Sequence, residues 1–119
     1  MAKINVVAAV IKKNNQYLIA QRNRKKYLSW KWEFPGGKVE ENESFEESLK
    51  REIEEELSIK INIHKKITET EYKDDKIDIL LHYFLCSIKS GKIQLNEHED
   101  LAWIEAMDFD KFNFSGGDD

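Results

Sequence analysis

The sequence has 119 residues, of which 40% are hydrophobic and 11% aromatic, and this predicts one folded domain spanning residues 1–119. Its formal net charge of −4 argues against non-specific binding to a nucleic-acid backbone, which needs clustered Lys and Arg. Cys86 is the only cysteine, so no disulfide can form within the chain, and the apolar run at residues 6–11 is too short for a membrane span or a signal peptide. We therefore expect a cytoplasmic protein in a reducing compartment.

The first part of the chain predicts strands separated by polar turns. Residues 4–11 are apolar and largely β-branched, which indicates a strand buried on both faces, and residues 17–21 predict a second strand that forms a hairpin with it. Residues 22–31 are a basic loop, which is either solvated or in contact with phosphate. A short aromatic segment at 32–34 then leads into Pro35, Gly36 and Gly37, which predict a rigid, sharp turn.

One helix and further strands are predicted in the rest of the chain. Ser44 and Glu47 fit a capping box, so the helix is expected to run from there to about Leu57. Strands are predicted over residues 60–73, 77–88 and 101–104, and the second of them alternates, with apolar side chains on one face at Ile77, Ile79, Leu81, Tyr83 and Leu85. The order predicts an α+β fold in which a mostly antiparallel sheet carries one central helix.

Glutamates crowd the second half of the predicted helix. At about 100° per residue, an apolar stripe faces the sheet, formed by Phe45, Leu49, Ile53 and Leu57. Glu52, Glu55 and Glu56 lie together on an arc roughly 100° wide beside that stripe, whereas Glu54 points to solvent. Like charges at this spacing oppose the helix, so the cluster is either incidental crowding on a solvated face or a site for a divalent cation with oxygen ligands.

The spacing between the glycines and this helix matches a family signature. Gly37 is followed after five residues by Glu43, and seven residues later the run Arg51-Glu52-Ile53 begins, followed by Glu55-Glu56 and Ser58-Ile59. This pattern resembles the Nudix box, Gx5Ex7REUxEExGU, in which U is aliphatic. Ser58 stands where the family has glycine, at a helix end that favours left-handed backbone, and we expect it to cost about 1 kcal/mol without removing a ligand.

The resemblance extends over nearly the whole chain. Residues 6–11, 18–22, 32–40 and 97–103 are similar to the MutT branch of the Nudix hydrolases, in particular to the 8-oxo-dGTP diphosphatases and CTP pyrophosphohydrolases. It implies the Nudix fold, a mixed and mostly antiparallel β-sheet with the box helix packed on it, which becomes an α/β/α sandwich when a C-terminal helix is complete. The chain ends at Asp119, whereas similar enzymes continue into that helix, so the helix is expected to be largely absent, either because the sequence is truncated or because this member of the family is short.

The resemblance also implies a metal site and the residues that perform the reaction. In the family, the glutamates matching Glu52, Glu55 and Glu56 bind Mg²⁺ together with a backbone carbonyl that matches Gly36, and Mn²⁺ is expected to substitute. Glu97 joins the metal site or acts as the base, so either Glu52 or Glu97 is the expected catalytic proton acceptor. Two further box residues, Glu43 and Arg51, are expected to form a structural ion pair.

Substrate contacts are implied at Arg22, Phe34, Gly37, Lys38 and Asp118. Arg22 matches a phosphate contact, Asp118 matches a residue that reads the edge of the base, and Phe34 either packs on the base or belongs to the core. The three histidines, His64, His82 and His98, have no metal-ligand spacing and are expected to be structural or exposed.

The implied activity is a Mg²⁺-dependent nucleoside triphosphate pyrophosphohydrolase that removes oxidised nucleotides such as 8-oxo-dGTP from the pool used for DNA replication and repair. Water attacks the β-phosphorus and releases a nucleoside monophosphate and pyrophosphate. The alternatives are hydrolysis of CTP or methylated pyrimidine nucleotides, hydrolysis of ADP-ribose, and a non-catalytic Nudix-like binding module; the last is disfavoured because every box glutamate remains. We expect a monomer with a small-molecule substrate and with no direct nucleic-acid or membrane partner.

Overall fold

The structure, a computed structural model, describes residues 3–26 and 29–114, so the predicted base contact Asp118 lies outside the described residues. The described part contains the elements β1 (Ile4–Lys13), β2 (Gln16–Gln21), β3 (Trp32–Glu33), β4 (Gly36–Lys38), α1 (Phe45–Leu57), β5 (Ile59–Lys73), β6 (Asp78–Gly91), β7 (Asp100–Glu105) and a 3₁₀-helix (Ala106–Lys111). Within it, no helix is long and apolar enough to cross a membrane.

The described strands form one sheet centred on β1 and β6. Its order is β3-β2-β1-β6-β5, with β4 paired to β1 and β7 paired to β2. β1 and β6 run parallel, in register from Ile4–Ile79 to Ile11–Cys86, and the other pairs between these strands are antiparallel. The predicted β1–β2 hairpin and the mixed, mostly antiparallel α+β fold are therefore confirmed.

Both faces of β1 are covered, as its continuous apolar sequence predicts. On one face its side chains pack with α1 in a core that includes Val7, Ala9, Ile11, Leu49, Ile53 and Leu57. On the other face Ala8 and Val10 pack with Tyr83 and Phe34. Phe109 of the 3₁₀-helix contacts Phe34 there, with ring centroids 5.8 Å apart. The 3₁₀-helix, which the sequence did not predict, thus covers the face opposite α1.

The helix α1 begins and ends where the sequence predicts. Ser44 Oγ accepts a hydrogen bond from the Glu47 N–H at 3.0 Å, and Glu47 Oε1 accepts one from the Ser44 N–H at 2.8 Å, which completes the capping box. At the other end Ser58 adopts a left-handed conformation with φ 60° and ψ 31°. Asn96 Nδ2 donates to Ser58 Oγ and to the Glu55 carbonyl, each at 2.9 Å, so the helix end is tied to the loop after β6.

Of the turn predicted at Pro35, Gly36 and Gly37, the structure has a bend at Pro35 between β3 and β4, whereas the prediction is wrong for the two glycines, because both lie in β4. They pair with Ala8 and Val7 of β1, and neither has a positive φ. Space is the reason for glycine here. A Cβ on Gly36 would lie 2.8 Å from the Ala8 Cα and collide with the Val7 carbonyl, whereas a Cβ on Gly37 would lie 2.8 Å from Glu52 Oε1. The glycines therefore let β4 approach β1 and let the Glu52 carboxylate lie over β4.

Candidate active site

A cleft of about 590 Å³ opens where β1, β4, α1 and the loops after β2 and β6 meet. Its lining includes most of the residues predicted for the site, namely Arg22, Phe34, Gly36, Gly37, Lys38, Glu52, Glu56 and Glu97. An apolar wall completes the cleft and consists of Ile77, Ile79 and Leu81. All three belong to the apolar face that the sequence predicted, and Ile77 directly precedes β6. Cations, carboxylates and an apolar wall in one cleft suit a ligand that has both an anionic and an apolar part.

Glu52 and Glu56 enter the cleft from α1 because residues four apart share one face of a helix. Glu56 is 4% exposed, and its Oε1 has no hydrogen-bond partner among the described residues. Burial raises the pKa of Glu56, and a hydrogen bond with Glu52 and the negative charges of Glu33 and Glu97 raise it further. An unpartnered oxygen at this depth is costly, and a bound cation would remove that cost.

Glu55 is the one box glutamate on the predicted metal arc that does not line the cleft. Its side chain is 55% exposed and lies beside Arg51, with Nη1 3.4 Å from Glu55 Oε2. Helical spacing predicted three neighbouring carboxylates, but only part of that arc faces the cleft. Among residues 3–26 and 29–114, no three His, Cys, Asp or Glu side chains are already arranged to hold a metal ion.

Arg51 joins the loop before α1 to the carboxylates of the cleft. Its Nε and Nη2 donate to the two carboxylate oxygens of Glu43 at 2.8 and 3.0 Å, and its Nη1 donates to Glu52 Oε1 at 2.9 Å. These Arg51 hydrogen bonds, followed by one from Ser48 Oγ, lower the pKa of Glu43 to about 2. The ion pair expected from the sequence is thus present, and the same guanidinium also fixes Glu52.

A histidine that sequence reasoning assigned to structure or surface also lines the cleft, and its side chain is 6% exposed. His98 Nε2 donates to Glu33 Oε2 at 2.9 Å and lies 3.8 Å from Glu56 Oε1, while Glu33 Oε1 accepts from Arg22 Nη1 at 2.7 Å. Burial acts to raise the pKa of Glu33, but the His98 and Arg22 contacts outweigh it and hold that pKa below its usual range. The only sequence signal for His98 was its position next to Glu97, since its partner Glu33 is 65 residues away.

Phe34 belongs to both environments that the sequence left open. It lines the cleft, and its ring packs edge-on against Tyr83 and Phe109 with centroids 6.1 and 5.8 Å away. The contacts with Tyr83 and Phe109 therefore hold the Phe34 ring in place at the cleft. Other lining residues were not predicted for the site, namely Asn23, Glu40 and Tyr72, whereas Lys26 belongs to the basic loop for which contact with phosphate was one alternative.

Comparisons with known proteins point to one family. The family model described as the NUDIX domain matches residues 1–118. The 8-oxo-dGTP diphosphatase of Buchnera aphidicola subsp. Schizaphis graminum is 40% identical over 114 residues, covering 96% of this chain and 86% of that protein. The CTP pyrophosphohydrolase of Escherichia coli (strain K12) is 36% identical over 103 residues, covering 87% of this chain and 76% of that protein.

A solved structure shows the same fold. The solution structure of the E. coli ORF135 protein superposes with a TM-score of 0.86 at 32% identity, covering 99% of this chain and 84% of that chain. The family model spans nearly the whole sequence, and these relatives are similar over most of their own length. The chain therefore belongs to the Nudix hydrolase family.

Proposed function

We propose that this protein hydrolyses nucleoside triphosphates to a nucleoside monophosphate and pyrophosphate, that it depends on a divalent metal, and that oxidised nucleotides such as 8-oxo-dGTP are its substrates. The observation that carries the proposal is the pair Glu52 and Glu56, which line one cleft together with cations and an apolar wall, Glu56 being buried there. The relatives named as 8-oxo-dGTP diphosphatases support the substrate. Such an activity would clear damaged precursors from the pool used for DNA synthesis.

The side chains of the cleft fit a hard divalent cation. The partnerless, buried Oε1 of Glu56 is an oxygen donor without a proton donor to satisfy it. Glu52, Glu56, Glu97 and the Gly36 carbonyl would hold Mg²⁺, or Mn²⁺ in its place, with Glu55 as a further ligand that the family resemblance suggests. When bound, the ion would neutralise phosphate charge and lower the pKa of a bound water.

The other polar residues of the cleft have separate roles in the proposed reaction. Arg22, Lys26 and Lys38 line it and would bind the phosphates. Glu52 or Glu97 would accept the proton of the attacking water while the oxygen of that water bonds to the β-phosphorus. The bond from the β-phosphorus to the oxygen bridging to the α-phosphorus breaks, and that oxygen leaves with the nucleoside monophosphate.

The apolar wall provides the complementary half of the site. Ile79 and Leu81 of this wall, together with Phe34 in the same cleft, offer apolar surface on which a nucleobase would pack. A pyrimidine base would also find this surface, and the similarity to a CTP pyrophosphohydrolase supports CTP as the second candidate substrate.

A kinetic panel distinguishes these substrates. With saturating Mg²⁺, we expect kcat/KM for 8-oxo-dGTP to exceed that for dGTP, CTP, 5-methyl-CTP and ADP-ribose. Equal values for dGTP and 8-oxo-dGTP would contradict the sanitising role, and the largest value for CTP would favour the second candidate. Absence of hydrolysis with every nucleotide would support a binding module instead.

Single carboxamide variants test the carboxylates. We expect Glu52→Gln and Glu56→Gln to lower kcat about 100-fold or more, because each replaces a carboxylate that would hold the metal by a neutral amide. Glu54→Gln is the matched control, since Glu54 is exposed on the same helix and lies outside the cleft. Mn²⁺ binding to the nucleotide-free protein, followed by electron paramagnetic resonance, should weaken in the first two variants only. Wild-type activity that survives an excess of EDTA would refute metal dependence.

A further inference from the structure

The basic loop after β2 and the loop before β7 are joined by a bidentate ion pair just outside the cleft. Arg24 Nε and Nη2 donate to Glu99 Oε1 and Oε2 at 2.9 and 3.0 Å, and the Arg24 backbone N–H also donates to Glu99 Oε1 at 3.0 Å. These two residues are 75 positions apart in the chain. Neither lines the cleft, but Glu99 follows Glu97 by two residues.

A second contact reaches the proposed catalytic residue directly. Asn23 Nδ2 donates to the backbone carbonyl of Glu97 at 3.1 Å. Asn23 is itself held, because its Oδ1 accepts from the Lys25 N–H at 2.9 Å. Two residues further along, the Glu99 N–H donates to the Gln21 carbonyl at the end of β2 at 3.0 Å. The backbone from Glu97 to Glu99 is therefore tied to the basic loop and to the end of β2.

The basic loop has its own restraints, so it can serve as the fixed partner. Arg22 and Lys31 are joined by an N–H to carbonyl bond of 2.7 Å, and the Trp30 N–H donates to the Arg22 carbonyl at 3.1 Å. The Arg24 guanidinium also lies over the Trp30 ring, 5.3 Å from its centroid. Loss of the ion pair would thus remove one restraint from the loop that carries Glu97 while leaving the ends of the basic loop in place.

We propose that Asn23, Arg24 and Glu99 form a latch that positions Glu97 in the cleft, so that Arg24 and Glu99 are positioning residues for the reaction. This rests on the proposed function. Because the Arg24 side chain is 62% exposed, the ion pair contributes little to stability. Its consequence is geometric, since small displacements of a catalytic group slow a reaction strongly.

Four variants test the latch through kcat. We expect Arg24→Gln and Glu99→Gln each to lower kcat about tenfold with KM nearly unchanged. The double variant should lose no more than the more affected single variant, because removing either partner already opens the latch. Arg24→Lys, which keeps the charge without the bidentate geometry, should recover part of kcat. Unchanged kcat in both single variants, or losses that multiply in the double variant, would overturn the proposal.

A spectroscopic measurement on the nucleotide-free protein tests the latch independently of activity. The His98 amide shares its peptide unit with the Glu97 carbonyl that Asn23 binds, so its NMR signal should shift in Arg24→Gln and Glu99→Gln. Lys66→Gln and Glu69→Gln are matched controls, since they break an ion pair of 2.6 Å on β5 outside the cleft and should leave this signal in place. An unmoved His98 signal in the latch variants would refute the latch even if the wild type hydrolyses nucleotides. A moved signal would support it even if no nucleotide is hydrolysed.

Discussion

Gly36 and Gly37 are adjacent in β4, but a side chain at each position would clash with a different group. A side chain on Gly36 would meet the backbone of β1 at Val7 and Ala8, which cannot move without disrupting strand pairing. A side chain on Gly37 would meet the carboxylate of Glu52, which is the free end of a side chain. The first glycine therefore serves the sheet and the second serves the cleft.

Alanine at each position should separate these two effects. Gly36→Ala is expected to lower the free energy of unfolding by about 1–3 kcal/mol, because overpacking strains the backbone. Gly37→Ala should lose less stability but lower kcat about tenfold, because Glu52 has to move away from its position over β4. Urea unfolding and steady-state kinetics on the two variants give the comparison. Wild-type kcat in Gly37→Ala would contradict the assigned position of Glu52.

At the scale of the element, the C-terminal end of α1 combines an unfavourable backbone conformation at Ser58 with a favourable hydrogen bond to its side chain. Ser58 has a left-handed conformation that glycine would adopt without steric cost, but its hydroxyl accepts a hydrogen bond from Asn96. Asn96 also binds the Glu55 carbonyl, one of the helix carbonyls that lack a partner within the helix. The strain at Ser58 and the bond to Asn96 are of similar size, about 1 kcal/mol each, so they nearly cancel.

This balance predicts that the effect of glycine depends on Asn96. Ser58→Gly should change the free energy of unfolding by less than about 0.5 kcal/mol in the wild type, because relief of strain offsets the lost hydrogen bond. In an Asn96→Ala background, where that bond is already absent, the same change should stabilise by about 1 kcal/mol. A double-mutant cycle by chemical denaturation measures the difference. Equal effects in the two backgrounds would show that the hydroxyl bond contributes nothing.

At the scale of the whole molecule, His82 joins three elements away from the cleft. Its Nε2 lies 3.0 Å from Asn5 Oδ1 of β1, and its ring packs on Phe45 of α1 with centroids 4.3 Å apart. The side chain is 3% exposed on β6. Burial lowers its pKa below the ordinary value of 6.5, and the positive charge of Lys66 lowers it further, in spite of an opposing contribution from Glu69.

This environment predicts a pH dependence of folding with a definite sign. Unfolded His82 takes up a proton as the pH falls through about 6.5, whereas the folded residue does so only at lower pH. The free energy of unfolding should therefore fall between pH 7.5 and 5.5, with a contribution from this residue of at most about 1.4 kcal/mol per pH unit. His82→Gln should flatten the dependence, whereas His64→Gln, at an exposed position, should not. An unchanged slope in His82→Gln would refute the assignment.

What the sequence by itself determined about this protein is local. The capping box at Ser44, the end of α1 at Leu57, and the four-residue spacing of Glu52 and Glu56 all depend on residues within a few turns of one another, and so does the β1–β2 hairpin. Helical periodicity also predicted the arc of carboxylates, but could not tell which part of it faces a cleft, and Glu55 does not.

Only the tertiary structure decided which distant residues meet. The parallel pairing of β1 with β6 and the placement of β4 beside β1 put Gly36 against the backbone of β1 and Gly37 under Glu52, although the sequence assigned both glycines to a turn. The same topology brought Glu33 to His98 and Arg24 to Glu99, across 65 and 75 residues. The physical reason is that strand order depends on how the whole chain covers both faces of its sheet, whereas spacing within a helix or hairpin is set by backbone geometry alone.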